Sequence, residues 1–566
     1  MLTVPVTTLA DGSFNISGDY TCGQSSTGVA INSPSNQVYI VATGGNPGLT
    51  PAANNGALVM VAALGDCANL PSASYVEINE ITTAAAAWAL SPFATSSTNI
   101  GATATNVSGI KNAFLDAALL ADTSTGLPAT LPSNLTVETS KLISLANSIA
   151  SCVNSNGTSG CSALFTAATP MGSVTAPTDT LAAALNVVKH PGENVKAVFQ
   201  ATSDRPPFSG GMTTYPNDWT MSLTVTGGGM KSPTAMAIDA ASNVWVVGQN
   251  GPLSAFNAQG TPLSATGYGA GVLDKSQGIA IDTHGDIWVT DYNAHFVGSG
   301  AVIKLLGVNS GATGPVGTVV QNGNVPGFYT DIYYPFAVSV DSTNGNVFVA
   351  NEGNGSATVM TSNGSIYTNA DNVYGGYLGG LQSAFPNDIA VDANHGFWIP
   401  DGNYSVIHVS ADGVAKTTTC CYTSYGVATD SYKNVWIANL LNDTISEVGD
   451  DGTPLLTQVA GGGLDFPEYV AVDAAQNVWV SNLLAAVSEF AGQGGSLAAG
   501  TPISPTTGAH GAGGYGLDSD MSEPNYIAPD RSGNLWVSNQ ANNSITMFYG
   551  LAAPTVTPVQ SIPTAP

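Results

Sequence analysis

The sequence predicts a mostly β protein: a seven-bladed β-propeller preceded by an N-terminal β-sandwich remnant and a small helical domain. Three observations predict it. A strand–turn–strand pattern recurs seven times from Pro233 onward, six of the eight tryptophans fall on one position of that pattern, and residues 75–200 switch to helical periodicity. At 566 residues the chain is too long for a single hydrophobic core. It divides into a β-rich segment 1–74 (a partial sandwich), a helical domain 75–200, a linker 201–218, the propeller 219–553 and a Pro-rich tail 554–566.

Residues 3–45 read as β-rich, with TTLADGSFNIS followed by QVYIVATGG. The first run resembles the last strands of carboxypeptidase-regulatory-like or prealbumin-like sandwiches, in which D-G-x-F sits at a hairpin. Too few strands precede it for a whole sandwich, so a remnant is expected. Beyond it, Val76–Leu90 is Ala-rich, with Trp88 near its end and Pro92 just past it. Ile110, Ala113, Phe114 and Ala117 share one helical face, as do Leu142, Leu145, Ala146, Ile149 and Cys152. Asp179 is placed to cap a helix running to about Lys189, stopped by Pro191 and Gly192. Four or five helices follow from this, as a small bundle. Pro206, Pro207 and Pro216 mark the linker, and the four prolines of 554–566 predict an extended, mobile end.

The propeller rests on its repeats. The copies are AMAIDAASNVWVV, GIAIDTHGDIWVT, AVSVDSTNGNVFVA, DIAVDANHGFWIP, GVATDSYKNVWIA, YVAVDAAQNVWVS and YIAPDRSGNLWVS. In each, an apolar strand ends in Asp (Asp239, Asp282, Asp341, Asp392, Asp430, Asp473, Asp530). A short turn follows, then a strand centred on an aromatic (Trp245, Trp288, Phe348, Trp398, Trp436, Trp479, Trp536). Asp with Gly or Asn suits a tight hairpin, since Asp bonds back to backbone amides and Gly or Asn tolerates positive φ. The aromatic is placed to fill the space between neighbouring sheets. A polar loop and a third strand such as SVIHVS, TISEVG or SITMFY come next, then a variable fourth, which makes a propeller blade. Residues 219–226, WTMSLTVT, read as an extended strand placed to complete the seventh blade from outside and close the ring.

These copies resemble the NHL family: a Pro, an inner strand ending in Asp, a Gly-Asn turn, and a strand ending in Asn or Asp. The leading Pro is present as Pro233, Pro335, Pro386, Pro467 and Pro524 and absent from copies two and five. The resemblance spans residues 219–553 and implies an NHL-type propeller of the bacterial secreted type. It implies a fold and not a chemistry.

Composition narrows the partners. Charged residues make up only 9% of the chain, and the formal net charge is −27. So acidic a surface repels phosphate backbones and anionic lipid, which argues against nucleic acid as a partner. No apolar run reaches the length of a membrane span. The N-terminus, MLTVPVTTLADG, lacks the basic-then-apolar pattern of a signal peptide. Either that signal has been removed or the protein is cytosolic, and the six cysteines favour a secreted or cell-surface location. Cys22 with Cys67, Cys152 with Cys161, and adjacent Cys420 with Cys421 are the expected disulfide pairs among fifteen connectivities. Buried free thiols are the alternative. A Cys420–Cys421 bond would make a rigid bump near the channel mouth.

In such a propeller the loop leading into the inner strand and the loop after the Trp strand open on one face, the usual ligand mouth. The leading loops place Asp388, Tyr425, Glu468, Tyr469 and Tyr526 there; the later loops add Asp291, Tyr292, His295, Glu352 and Asp401. Carboxylates, amides and tyrosines together suit a small polar or carbohydrate-like ligand, or a hard cation such as Ca2+. Glu352 and Asp388 are the candidate metal ligands because they break the repeat. The plainer reading is that the recurring Asn or Asp after each Trp strand caps its own turn. No HExxH and no G-x-S-x-G is present.

Three functions fit: a secreted or surface binding and interaction module, taking a small ligand or another protein; a metal-dependent lyase or hydrolase working at the mouth; or a subunit of an extracellular assembly. The enzyme reading draws on the streptogramin-B lyases, which are similar in blade number, and on gluconolactonase-like propellers. The Pro-His-Gly and Phe-Thr-Glu motifs that would carry the lyase residues over are missing.

Overall fold

The computed structural model describes residues 5–17, 36–70, 74–202, 206–292, 300–311, 313–322, 332–365, 385–484, 486–559 and 562–566. Cys22 and His295 lie outside these residues.

Seven antiparallel sheets form the ring. Their inner strands begin with Pro233–Ile238, Ser276–Ile281, Pro335–Val340, the short Ala390–Val391, Ser424–Thr429, Pro467–Val472 and Pro524–Pro529. Each pairs with its own aromatic strand, so that the aromatic faces a small residue two positions before the Asp. Those residues are Ala237, Ala280, Ser339, Ala390, Ala428, Ala471 and Ala528. They let the sheets converge at the channel while the larger ring fills the gap further out. Each aromatic then packs against the following blade. Trp245 packs with Ile279 and Ile287, Trp288 with Val338 and Val347, and Phe348 with Val391 and Phe397. Trp398 packs with Val427 and Val435, Trp436 with Val470 and Val478, and Trp479 with Ile527 and Leu535. Trp536 closes the circle on Val244 and Val246 of blade one. All eight tryptophans are fully buried.

The turn aspartates do two jobs. One oxygen accepts backbone amides two and four residues on, as from Tyr432 (2.9 Å) and Asn434 (2.9 Å) to Asp430. The other accepts the indole N–H of the same blade: Trp245 to Asp239 (3.0 Å), Trp288 to Asp282 (3.0 Å), Trp436 to Asp430 (3.2 Å), Trp479 to Asp473 (3.0 Å) and Trp536 to Asp530 (3.0 Å). In these five blades the second bond ties the turn to the buried indole of the same sheet.

Ring closure follows the sequence reading. Ser222–Val225 pairs with the third strand of blade seven, Ser544–Phe548. The structure adds a fifth strand, Leu135–Val137, outside it. Elsewhere the fourth strand is regular in blades two, four and five. In blades one and six isolated bridges such as Leu253–Tyr268 and Val487–Tyr515 stand in for it.

Among the described residues, six α-helices precede the ring: α1 Glu80–Leu90, α2 Val107–Leu120, α3 Thr139–Val153, α4 Ser159–Ala167, α5 Thr180–Lys189 and α6 Val195–Gln200. Asp179 caps α5 by accepting from Ala182 N (2.8 Å). α3 and α4 flank the SNGTSG turn between Cys152 and Cys161, whereas α6 is too short to carry a periodic signal in the sequence. Of the expected sandwich remnant, Gln37–Thr43 is a strand, paired with Val59–Asp66 in a two-stranded sheet; residues 5–17 carry no strand. The helices share one core with blades one and seven, reaching from Trp88 and Leu142 through Trp219 and Leu223 to Met547. Trp88 Nε1 donates to Trp219 O (2.8 Å). The tail is not a free end. Thr555 and Thr557 are buried, Thr555 N donates to Asp530 O (2.9 Å), and Thr557 Oγ1 donates to Asp239 O (2.8 Å). Buried acceptors on the blade turns give the tail partners that its composition does not reveal.

Two disulfides are seen directly, Cys152–Cys161 between α3 and α4, and Cys420–Cys421. Cys67 is also disulfide-bonded. No helix among the described residues is long and apolar enough to cross a membrane.

Candidate functional site

The inner strands carry a register irregularity at their starts, between Ser276 and Gly278, Pro335 and Ala337, Ser424 and Val427, Pro467 and Val470, and Pro524 and Ile527. Residues there leave the ladder, and such bulges re-aim side chains at functional rims. In blade four the ladder begins only at Ala390, so Asp388 is outside it as well. In blades one, two, three and five the position four before the Asp is Ala235, Gly278, Ala337 or Gly426. In the others it is Asp388, Tyr469 and Tyr526.

The result is a crescent on blades four to seven. Tyr425 and Tyr469 meet edge-on with ring centroids 5.5 Å apart, and Tyr469 and Tyr526 lie 5.1 Å apart. Asp388, Tyr469 and Tyr526 line the channel together with Gln277, Phe336 and Asn387, around a cavity of ≈ 170 Å³. The tail residues Thr557, Pro558, Val559 and Pro563 line it as well.

Both carboxyls of the crescent are held near neutrality. Burial pushes Asp388 up to about 7, against the opposing pull of the Val427 and Ile389 amides (2.8 Å each). Burial, helped by the charge of Glu523, likewise raises Glu468 to about 7; Asn525 Nδ2 donates to it (2.9 Å). The tyrosine hydroxyls are pushed up by burial first and then by their neighbours, Glu468 at Tyr425, Tyr425 ahead of Asp388 at Tyr469, and Asp388 at Tyr526, so they stay protonated as donors.

The remaining expected residues are placed elsewhere or differently. Glu352 faces the same mouth from blade three: it bonds Tyr292, and its charge reaches Tyr425. Tyr292 also packs on Tyr334 at 4.9 Å. Asp291 is buried and accepts from Asp274 N (2.6 Å) and Lys275 N (3.4 Å), tying the leading loop to the Trp strand. Asp401 accepts from Ser405 Oγ (2.6 Å) inside its own turn. Asn439 and Asn539 likewise bond hydroxyls of the next strand. These bonds run to the leading loop or to hydroxyls of the following turn and strand, not to backbone groups of the residue's own turn. Among the described residues, Glu352 and Asp388 belong to no set of three or more metal-ligating side chains. The Cys420–Cys421 pair is buried in the core with Trp398 and Val427, and both of its amides donate to Tyr404 O. It does not form a bump at the mouth.

Phe336 is the mouth residue that the sequence did not single out. It lies five before the Asp, the same position as Tyr425 and Glu468, which falls within the bulge and varies freely from copy to copy.

No protein-family model and no curated protein matches the chain. Among solved structures, a catalytically inactive virginiamycin B lyase from Staphylococcus aureus with quinupristin is similar, at 13% identity and a TM-score of 0.44 over 58% of this chain and 98% of that one. The WD40 β-propeller domain of Doa1 gives 11% identity and a TM-score of 0.42 over 57% and 94%. A gluconolactonase from Xanthomonas campestris gives 14% and 0.34 over 58% and 89%. At such identities these proteins carry no information about chemistry at this mouth.

Proposed function

We propose that this chain is an NHL-type binding module working outside the cytoplasm, and that its channel mouth takes a small polar ligand with a flat apolar face, carbohydrate-like in chemistry. The observation that carries this is the crescent of Tyr425, Tyr469 and Tyr526 beside Asp388 and Glu468. Aromatic rings stack on the apolar face of a sugar-like ring, while carboxyls and hydroxyls bond its polar edge. Disulfides at Cys152–Cys161 and Cys420–Cys421 support an oxidising compartment. Calorimetric titration with a panel of mono- and disaccharides tests it. Saturable binding that is lost in Tyr526→Ala and weakened in Glu468→Gln is expected. Absence of saturation by every sugar, or binding unchanged in Tyr526→Ala, would overturn it.

The raised carboxyls favour one second reading, a lyase or hydrolase. Acid–base groups titrating near 7 are matched to proton transfer at neutral pH. Turnover of lactones or esters that disappears in Asp388→Asn supports it; Glu352→Gln tests whether a divalent cation held there takes part.

A further inference from the structure

Blade four departs from the other Trp blades in one respect. It keeps both Asp392 and Trp398, yet the indole does not bond the carboxylate. Asp392 Oδ2 instead faces His408 Nε2 at 2.7 Å. The His408 ring stacks on Trp398, with centroids 4.1 Å apart and planes at 9°. Trp398 Nε1 is left buried without a partner. Asp450, on the turn between the third and outer strands of blade five, completes the group: ligand atoms of Asp392, His408 and Asp450 all lie within 4.8 Å of one another.

We propose that Asp392, His408 and Asp450 form a divalent metal site bridging blades four and five on the turn face. One imidazole nitrogen and two carboxylate oxygens suit Zn2+ or a similar first-row ion better than Ca2+, which prefers an all-oxygen shell. The ligands are oriented in advance. Asp392 Oδ1 is occupied by the amides of Asn394 (2.7 Å) and Gly396 (2.9 Å), which leaves Oδ2 to turn toward His408. Asn394 Nδ2 holds both oxygens of Asp450 (3.1 and 2.9 Å), and Lys433 Nζ in turn holds Asn394 Oδ1 (2.9 Å). Such outer partners fix ligand geometry at metal sites. Asp392 is buried while His408 and Asp450 are partly exposed, so an ion can reach the site from solvent.

A simple ion pair accounts for less. Blade two shows what one looks like at the same cross-strand position: Lys304 Nζ lies 3.0 Å from Asp282 Oδ2, and Trp288 still donates to that oxygen at 3.0 Å. Adding a cation therefore does not require orphaning the indole. Asp392 Oδ2 accepts from His408 Nε2 in place of the indole, and loss of that one imidazole proton turns both atoms into lone-pair donors for a metal. Tetrahedral ligands about 2.0–2.1 Å from zinc stand roughly 3.3 Å apart, so a small opening of the 2.7 Å pair admits the ion.

The test is titration of the full chain, stripped with chelator, against Zn2+ and separately Ca2+, read by calorimetry and by elemental analysis after desalting. One equivalent of Zn2+ and no retained Ca2+ are expected, with a higher Tm on loading. Asp450→Asn, on an exposed turn, and His408→Gln should each weaken Zn2+ binding by at least about ten-fold. Glu468→Gln at the mouth should leave it unchanged, which separates this site from the ligand site above. No saturable Zn2+ binding, or the same affinity in Asp450→Asn, would overturn the proposal.

Discussion

Trp398 and Trp436 occupy the same place in adjacent blades and differ by one hydrogen bond. Trp436 Nε1 donates to Asp430, whereas Trp398 Nε1 has no partner. Trimming either to Phe removes similar buried surface, but only Trp436→Phe breaks a bond to a buried carboxylate. Trp436→Phe should therefore cost about 1–2 kcal/mol more than Trp398→Phe in denaturant unfolding. Asp388 gives a second residue-level test. Its folded pKa of about 7 lies above the unfolded value, so the folded state holds the extra proton between roughly pH 4 and 7. Stability falls as pH rises through that window, because the buried group must then carry charge. Asp388→Asn exchanges one acceptor for a donor and should cost about 1 kcal/mol at low pH. Its melting temperature should then stay flatter between pH 5 and 8 than that of the native chain.

At the scale of the element, the bulged start of each inner strand separates structure from recognition. The strand's second half is fixed by pairing, by the small residue opposite the aromatic and by the Asp turn. Its first half is released from the ladder and free to vary, and blades four to seven use that freedom for Asp388, Tyr425, Glu468, Tyr469 and Tyr526. The closing strand Ser222–Val225 is hydrogen-bonded on both edges, with Thr224 opposite Thr546 on one side and Thr136 on the other. Thr224→Pro removes a ladder donor from a central strand and should destabilise the fold by about 3 kcal/mol or more. The same substitution in the exposed outer strand Ala415–Thr419, at Lys416, should cost far less by the same measurement.

For the molecule as a whole, the helices and the ring share one packed core. Lys141 of α3 is buried, pairs with Glu138 (2.7 Å) and Asp518 (3.4 Å), and donates to Thr220 O (3.0 Å). Asp116 of α2 is buried against blades seven and one, bonded by Asn534 Nδ2 (2.9 Å) and Gln259 Nε2 (3.1 Å), and burial pushes it up to about 8. Scanning calorimetry should show one main transition for both parts. Lys141→Met should shift that transition by about 3–5 kcal/mol without splitting it, since it strands buried carboxylates at the junction. Two resolved peaks would mean that the shared core does not couple them.

The sequence by itself determined the seven sheets, the aromatic between each pair, the closing strand and the Asx turns. These are local or repeated features, and repetition lets one copy check another. It also named the five crescent residues, from their place in the loops that lead into the inner strands. Tertiary structure alone decided which of ten mouth candidates meet, because that depends on bulges invisible in composition. It alone showed the fifth strand on blade seven, the tail lining the channel, and the Asp392–His408–Asp450 group. Each joins residues far apart in the chain, where no periodicity carries the contact and only packing brings them within reach.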